Sequence, residues 1–398
     1  MSPHGARYRW YALGVTTYTQ ASAAAVTATI GPIAPLLQAD FGISRAEVGL
    51  FQGAIYFSAT FASLAGGRLA DRAGERIVLI LSGVIAGVAS LAIARVGTFP
   101  MLLALALLVG LGFGIQHPAG SAAVMRWFPP HRRGSAMGIR QTGVPLGGVL
   151  AAAVWPIATG LWGWRSAYLL SALMMLLGAA LIIFTYVDPR RETGPGAERP
   201  RAMRDLMGDR KLMRIAVIYN AQVMAQYAVT VYLVLFLHEA LGMPLVLAAS
   251  LLAVVNLAAI AGRIGWGVAS DALFGGARQP VLVIVIALTL ASVLLAAALP
   301  RGTPVALIVV LAVMLGVTAY SWTGIYTALT VETAGRASAA TAVAWVHVLG
   351  GLGSFGGAPL FGWVVDATGS YRVAWLVVAA VVLTGLVAAL RVRETRPL

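Results

Sequence analysis

Cysteine is absent from this 398-residue chain, which excludes disulfides, thiolate metal sites and cysteine nucleophiles. Charge is also scarce: 11% of residues are charged, where ordinary soluble domains carry roughly a quarter. With 60% hydrophobic residues spread over the whole length, a water-soluble enzyme is excluded and a polytopic membrane protein remains. Acidic residues are few, 14 against 28 basic ones. The resulting charge of +14 raises nucleic acid or anionic lipid as partners. Where the basic residues sit decides between them.

Twelve apolar runs are long enough to cross about 30 Å of hydrocarbon. In the first half they cover roughly 10–37, 46–69, 77–95, 99–125, 136–161 and 165–187. In the second half they cover roughly 213–237, 246–268, 279–299, 304–330, 338–364 and 372–391. Backbone in hydrocarbon must satisfy its own hydrogen bonds, so these are helices and the fold is an all-α polytopic membrane protein. The longest polar interruption runs from Asp188 to Lys211 and mixes seven basic and five acidic residues with Pro189, Gly194, Pro195, Gly196 and Pro200. It reads as a solvated linker, with a short interfacial helix near Met203 to Met207. The organisation expected is a six-helix bundle over 1–187, a cytoplasmic linker over 188–212 and a second six-helix bundle over 213–398.

Positive residues are retained on the cytoplasmic side of membrane proteins. With both termini placed there, that side holds 21 of the 28 basic residues, among them Arg72, Arg76, Arg126, Arg278, Arg336, Arg391, Arg393 and Arg396. The opposite side holds Arg45, Arg95, Arg165, Arg301 and Arg372, while Arg140 and Arg263 fall inside helices. The positive charge is therefore topological, and no nucleic-acid partner is expected. The first run contains Thr16, Thr17, Tyr18, Thr19 and Gln20 where a cleaved signal would need an apolar core. It reads as a retained span, which places the chain in the cytoplasmic (inner) membrane.

The halves echo one another. Gly67-Arg68-Leu69-Ala70-Asp71 follows the second run as Gly267-Val268-Ala269-Ser270-Asp271 follows the eighth. Arg133-Gly134-Ser135-Ala136 parallels Arg336-Ala337-Ser338-Ala339, and Trp164-Arg165-Ser166-Ala167-Tyr168 parallels Tyr371-Arg372-Val373-Ala374-Trp375. Such repeats let a carrier build a site that opens to either side. On these residues the sequence resembles the major facilitator superfamily, whose loop pattern between helices 2 and 3 reads here from Gly67 through Asp71, Arg72 and Gly74 to Arg76, with Glu75 where a base is usual. The resemblance implies two pseudo-symmetric six-helix bundles and assigns Gly67, Asp71, Arg72, Gly74 and Arg76 to conformational gating, with Asp271 as the second-half counterpart.

Two other patterns depart from the drug exporters of that superfamily. Ala106 stands where their fourth helix carries arginine, four residues before Gly110, and their fifth-helix motif appears only loosely as Gly143-Val144-Pro145-Leu146-Gly147-Gly148. The eighth run, Gly262-Arg263-Ile264-Gly265-Trp266-Gly267, is instead similar to oxalate:formate antiporters and monocarboxylate transporters. Their arginine at the place of Arg263 contacts a carboxylate; their second base, in helix 11, is replaced here by His347.

The acidic residues all lie in loops or within about a turn of a helix end, so none is resident in mid-membrane. Arg140 and Arg263 should each lie about 10–12 Å inside the boundary, at a cost of up to roughly 2.5–3.5 kcal/mol each. The resemblance places both beside a central path lined by helices 1, 4, 5, 7, 8, 10 and 11. The natural counter-ion is then a small anionic substrate, and arginine's planar fork suits a carboxylate. Asn256, Gln141, Tyr18, Gln222, Gln226, Tyr320, Trp322, Tyr326 and His347 complete the candidate substrate contacts by helical spacing. His117 and His347 are the candidate proton-coupling groups. No metal site, cofactor or catalytic constellation is expected, so the chain is not read as an enzyme. The expectation is a monomeric secondary transporter of a mono- or dicarboxylate, working by exchange or with protons, with efflux of amphipathic drugs as the alternative.

Overall fold

The computed structural model describes residues 3–128, 130–188, 206–334 and 339–392. Among these, twelve helices are long and apolar enough to cross a membrane. They are α1 (Arg7–Phe41), α2 (Arg45–Ala70), α3 (Glu75–Ile93), α4 (Phe99–Trp127), α5 (Ala136–Trp162), α6 (Arg165–Thr185), α7 (Arg210–Ala240), α8 (Leu245–Leu273), α9 (Gln279–Ala298), α10 (Val305–Ala334), α11 (Trp345–Thr368) and α12 (Tyr371–Leu390). They follow the twelve expected runs, and no strand occurs among the described residues. Most of the expected linker, including Met203, lies outside the described residues, as do Arg336, Arg393 and Arg396.

The helices form where they do because a hydrocarbon environment leaves no other way to satisfy the backbone. Their outward faces stay apolar: Phe57, Phe61 and Leu64 on α2, Leu169, Leu173 and Leu177 on α6, and Leu376, Leu383, Val387 and Leu390 on α12 are all exposed. An apolar surface of that extent belongs against lipid. Inward hydroxyls bond to their own helices one turn back, as Thr16 does to the Ala12 carbonyl and Thr289 to that of Val285. Others cross between helices, where Ser58 donates to the Leu107 carbonyl at 2.8 Å and Ser82 to that of Gly112 at 2.7 Å.

Two compact units result, one comprising Met1–Ile43 and Phe51–Glu192, the other Ser44–Leu50 and Thr193–Leu398. In the first, α1 packs on α5 and α6, and α3 on α4 and α6; in the second, α7 packs on α11 and α12, and α9 on α10 and α12. The pairings recur at an interval of six helices, which is the repeat heard in the sequence echoes. Within the first unit, Val15, Ala70, Val78, Ala123 and Ile182 join α1, α2, α3, α4 and α6 in one apolar core.

Several helices are interrupted. α1 breaks at Thr29, and α5 breaks at Thr142 and Val154, close to Pro32, Pro145 and Pro156, whose missing N–H groups weaken the helix. α10 breaks over Tyr320–Trp322 without a proline. α11 carries a π-helical turn over Leu352–Gly356, a distortion that often marks functional positions.

The second unit includes Ser44–Leu50 because the first turn of α2 is held there by acids. Asp366 accepts from the Ala46 and Arg45 N–H groups at 2.8 and 3.3 Å, capping α2 from another helix, and pairs with the Arg45 guanidinium at 3.3 Å. Glu239 takes the other edge of that guanidinium at 2.7 Å and also accepts from the Tyr371 hydroxyl. Asp366→Ala removes a cap and half of an ion-pair network, so the purified protein should lose about 1–2 kcal/mol of stability. An unfolding midpoint in detergent equal to the parent's would contradict this role.

Candidate functional site

Arg140 sits in the last helical turn of α5 before its break at Thr142. Its side chain has no exposure to solvent or lipid, which rules out a guanidinium that snorkels to the headgroups. One terminal nitrogen donates to Gln20 Oε1 of α1 at 2.7 Å and the other to Ser121 Oγ of α4 at 3.2 Å. Nε has no acceptor, and none of the ion pairs among the described residues includes Arg140. Space for the group comes from Gly120, where a Cβ would stand 2.3 Å from the nearer terminal nitrogen. Two neutral acceptors return about 1.5–3 kcal/mol each for bonds to a charged donor. Together these are of the same order as the several kcal/mol that enclosing an ion costs, but they are neutral and leave the charge itself without a counter-ion among the described residues.

Neighbouring polar groups in this unit bond locally, apart from Gln116 Oε1, which is buried without a partner. Gln116 donates to Thr19 Oγ1 at 3.3 Å, Tyr18 donates to the Met174 carbonyl of α6, and Thr29 shares a bond with Ser171 while accepting from Trp155 Nε1. Gln141 is half-buried at the break, and His117 lies on an exposed face one turn from Ser121, whose hydroxyl also donates to the His117 carbonyl. Gln20 and Ser121 were not singled out from sequence. The available signal was spacing, since Gln20 lies one turn after Thr16 and Ser121 one turn after His117.

In the second unit Arg263 is half-buried and its Nε donates to the Tyr320 carbonyl at 3.3 Å. The break in α10 supplies that oxygen, because carbonyls at a helix end lack their partners four residues on. Trp266, one turn along α8, donates to the Val317 carbonyl at 2.5 Å, and Ser321 to that of Gly316 at 2.7 Å. Gly262 permits the approach: a Cβ there would meet Ser321 Oγ at 2.4 Å and Val317 Cα at 2.8 Å. The sequence Gly262-Arg263-x-x-Trp266 is thus a dock for the broken helix.

Beyond the break the rings gather. Trp322 donates to Gln226 Oε1 at 3.2 Å and packs edge-on against Tyr219 and Tyr326 at 5.4 and 5.2 Å. His347 lies 4.7 Å from the Tyr219 ring and parallel to that of Tyr326 at 6.1 Å. The Tyr326 hydroxyl is buried without a hydrogen-bond partner, and the Tyr320 hydroxyl bonds Thr230. Thr230 donates to the Gln226 carbonyl at 2.8 Å, so Arg263, Tyr320, Gln226, Trp322, Tyr326 and His347 form one continuous chain of contacts. Two other candidates bond outside this chain of contacts: Gln222 is fully buried and donates to Thr289 of α9, while its Oε1 has no partner, and Asn256 donates to the Leu252 carbonyl of its own helix.

The expected gating loop folds around Gly74, whose φ of +96° and position against Asp188 leave no room for a side chain. Asp188 accepts from the Arg76 N–H at 2.9 Å, and Arg76 donates to the Ile183 carbonyl. Glu75, fully buried, pairs with Arg126 at 2.5 Å. Arg72 is exposed and Gly67 half-buried, while the Asp71 side chain lies outside what the structure describes. In the second unit Asp271 pairs with Arg278 at 2.7 Å, and Glu332 lies 3.4 Å from the same guanidinium. Burial acts to lower the Arg278 pKa, but the two carboxylates outweigh it and hold the group above its usual value.

The Major Facilitator Superfamily family model matches residues 17–358. An uncharacterized MFS-type transporter of Mycobacterium tuberculosis is 28% identical over 94% of this chain and 83% of its own length. The 4-hydroxybenzoate transporter PcaK of Pseudomonas aeruginosa is 33% identical over 44% of this chain and 40% of its own. Monocarboxylate transporter 13 of Rattus norvegicus is 28% identical over 82% and 75%. Among solved structures, a bacterial homologue of the human lysosomal transporter Spinster superposes with a TM-score of 0.76 at 17% identity, covering 98% of this chain and 96% of that one.

Gly74→Ala should lower stability by about 1–3 kcal/mol, the usual cost of forcing a side chain into such backbone, whereas Gly97→Ala, with open space around it, should leave the melting temperature unchanged. Equal melting of the two variants would show that Asp188 does not hold the turn.

Proposed function

Because this chain belongs to the major facilitator superfamily and is a multi-pass membrane transporter, we propose that its cargo is a small organic anion, a mono- or dicarboxylate. Arg140 carries the reading: a fully enclosed guanidinium with two neutral acceptors and a free Nε edge among the described residues. A carboxylate supplies the missing charge and matches the planar donor fork. Arg263, fixed at the α10 break, is the anchor of the second unit. The rings of Tyr219, Trp322, Tyr326 and His347 give a bound acid an apolar wall, and Gln226 offers polar contact. Support also comes from the relatives named for 4-hydroxybenzoate and for monocarboxylates.

The cycle proposed is alternating access between bundles 1–187 and 213–398 joined by the linker 188–212, in the inner membrane, with both termini cytoplasmic and the monomer as the working unit. Cargo neutralises a buried cation that an empty carrier must occlude unpaired. Return of the empty form is thereby slowed, which favours anion exchange or uptake with protons over uniport. His347 and His117 are the groups proposed to carry the proton where coupling occurs. The gating residues Gly67, Asp71, Arg72, Gly74, Arg76 and Asp271 act on conformation and leave the cargo to the helices.

Two measurements test this. A thermal-shift screen of the purified protein against benzoate, lactate, succinate, sulfate and cationic drugs should show stabilisation by a carboxylate, because a ligand bound only to the folded state raises its stability. Stabilisation by cationic drugs alone would favour efflux of amphipathic compounds. In proteoliposomes loaded with the responding acid, Arg263→Lys should reduce exchange at least tenfold with normal expression, since lysine cannot reproduce the fork. Retained exchange would remove the anchor assignment.

A further inference from the structure

At the end of the second unit where α7 begins and α12 finishes, a cavity of about 490 Å³ is lined by Lys211, Arg214, Leu390 and Arg391. Three of these four residues are cations. Lys211 and Arg214 stand three apart on α7, a spacing at which like charges repel. Arg214 reaches across to donate to the Arg391 carbonyl at 2.6 Å, which ties the end of α12 to the first turn of α7. Gln279 of α9 donates to the nearby Ala389 carbonyl at 3.0 Å. These bonds occupy the last carbonyls of α12 and leave the guanidinium and ammonium charges concentrated at the mouth.

The acid closest in sequence does not line it. Asp209 caps α7, accepting from the Lys211 and Leu212 N–H groups at 2.8 and 3.4 Å. Arg210 next to it is exposed and adds a fourth positive charge to this turn. Immediately along both helices the surface turns apolar. Met213 and Val217 follow Arg210 on α7, and Leu383, Val387 and Leu390 run up to Arg391 on α12, all exposed. A basic recess rimmed by two exposed hydrocarbon stripes has the chemistry of an amphiphile with an anionic head and acyl tails.

We propose that this recess binds an anionic phospholipid, with the headgroup phosphate between Lys211, Arg214 and Arg391 and the acyl chains along the Met213–Val217 and Leu383–Leu390 faces. Charge complementarity selects an anionic over a zwitterionic lipid, and the apolar rims select a lipid over a free phosphate. The site is separate from Arg140 and Arg263, so it stands whatever the transported cargo proves to be.

Native mass spectrometry of the full-length protein, titrated with phosphatidylglycerol or phosphatidylcholine, tests it. Phosphatidylglycerol should bind more tightly, and Lys211→Gln/Arg391→Gln should weaken that binding about tenfold, two charges at a membrane surface being worth at least this much. Arg214 is left in place because its bond to α12 contributes to folding. Arg301→Gln, an exposed base at the other end of α9, should bind phosphatidylglycerol as the parent does. The proposal is overturned if the double variant retains parental affinity, if phosphatidylcholine binds equally well, if Arg301→Gln weakens binding as much, or if inorganic phosphate competes the lipid away at equimolar concentration.

Discussion

A guanidinium shut inside protein with only an amide oxygen and a hydroxyl for company is an expensive arrangement, and residues of three helices make it possible. Arg140 is delivered by the helical turn before the break in α5, accommodated by the missing side chain of Gly120, and oriented by Gln20 and Ser121 from two other helices. Elsewhere the same protein pairs its cations readily. Arg126 meets Glu75, Arg45 meets Glu239 and Asp366, and Arg278 meets Asp271 and Glu332. Arg140 enters no ion pair among the described residues, although a charge embedded in a membrane is costly.

The second unit fixes its arginine by another device. An interruption in α10 frees main-chain oxygens, and Arg263 and Trp266 of α8 take two of them. Irregular backbone at membrane depth is tolerated only where such groups find partners inside the protein. The break thus pins a cation and starts the run of rings from Trp322 through Tyr219 to His347. The result is a carbonyl-held arginine at one end of a run of aromatic rings.

Much of this is legible in the amino-acid sequence. Hydrophobic run length located all twelve helices, because the hydrocarbon thickness imposes a minimum length on every span. The twofold echo pointed to two similar halves, and the pairing of α1 with α5 recurs as that of α7 with α11. Arg140 and Arg263 stood out because arginine in an apolar run is rare. What stayed hidden was direction. Helical spacing placed Gln222 and Asn256 beside the candidate contacts, yet Gln222 turns to Thr289 and Asn256 to its own backbone. Periodicity gives a face but not the neighbour that satisfies an amide. The unwinding at Tyr320–Trp322 was equally hidden, since no proline stands near it and the flanking Gly316 and Gly324 are two of 45 glycines in the chain.

The central claim is that Arg140 is kept for its charge and not for the fold. Arg140→Met is the direct probe, with unfolding followed in detergent in the absence and presence of the acid that stabilises the parent. Removing a buried, incompletely paired cation should leave the empty protein as stable or more so, by up to about 1–4 kcal/mol, while the stabilisation conferred by the acid disappears. A variant that melts earlier than the parent and still responds fully to the acid would contradict the account.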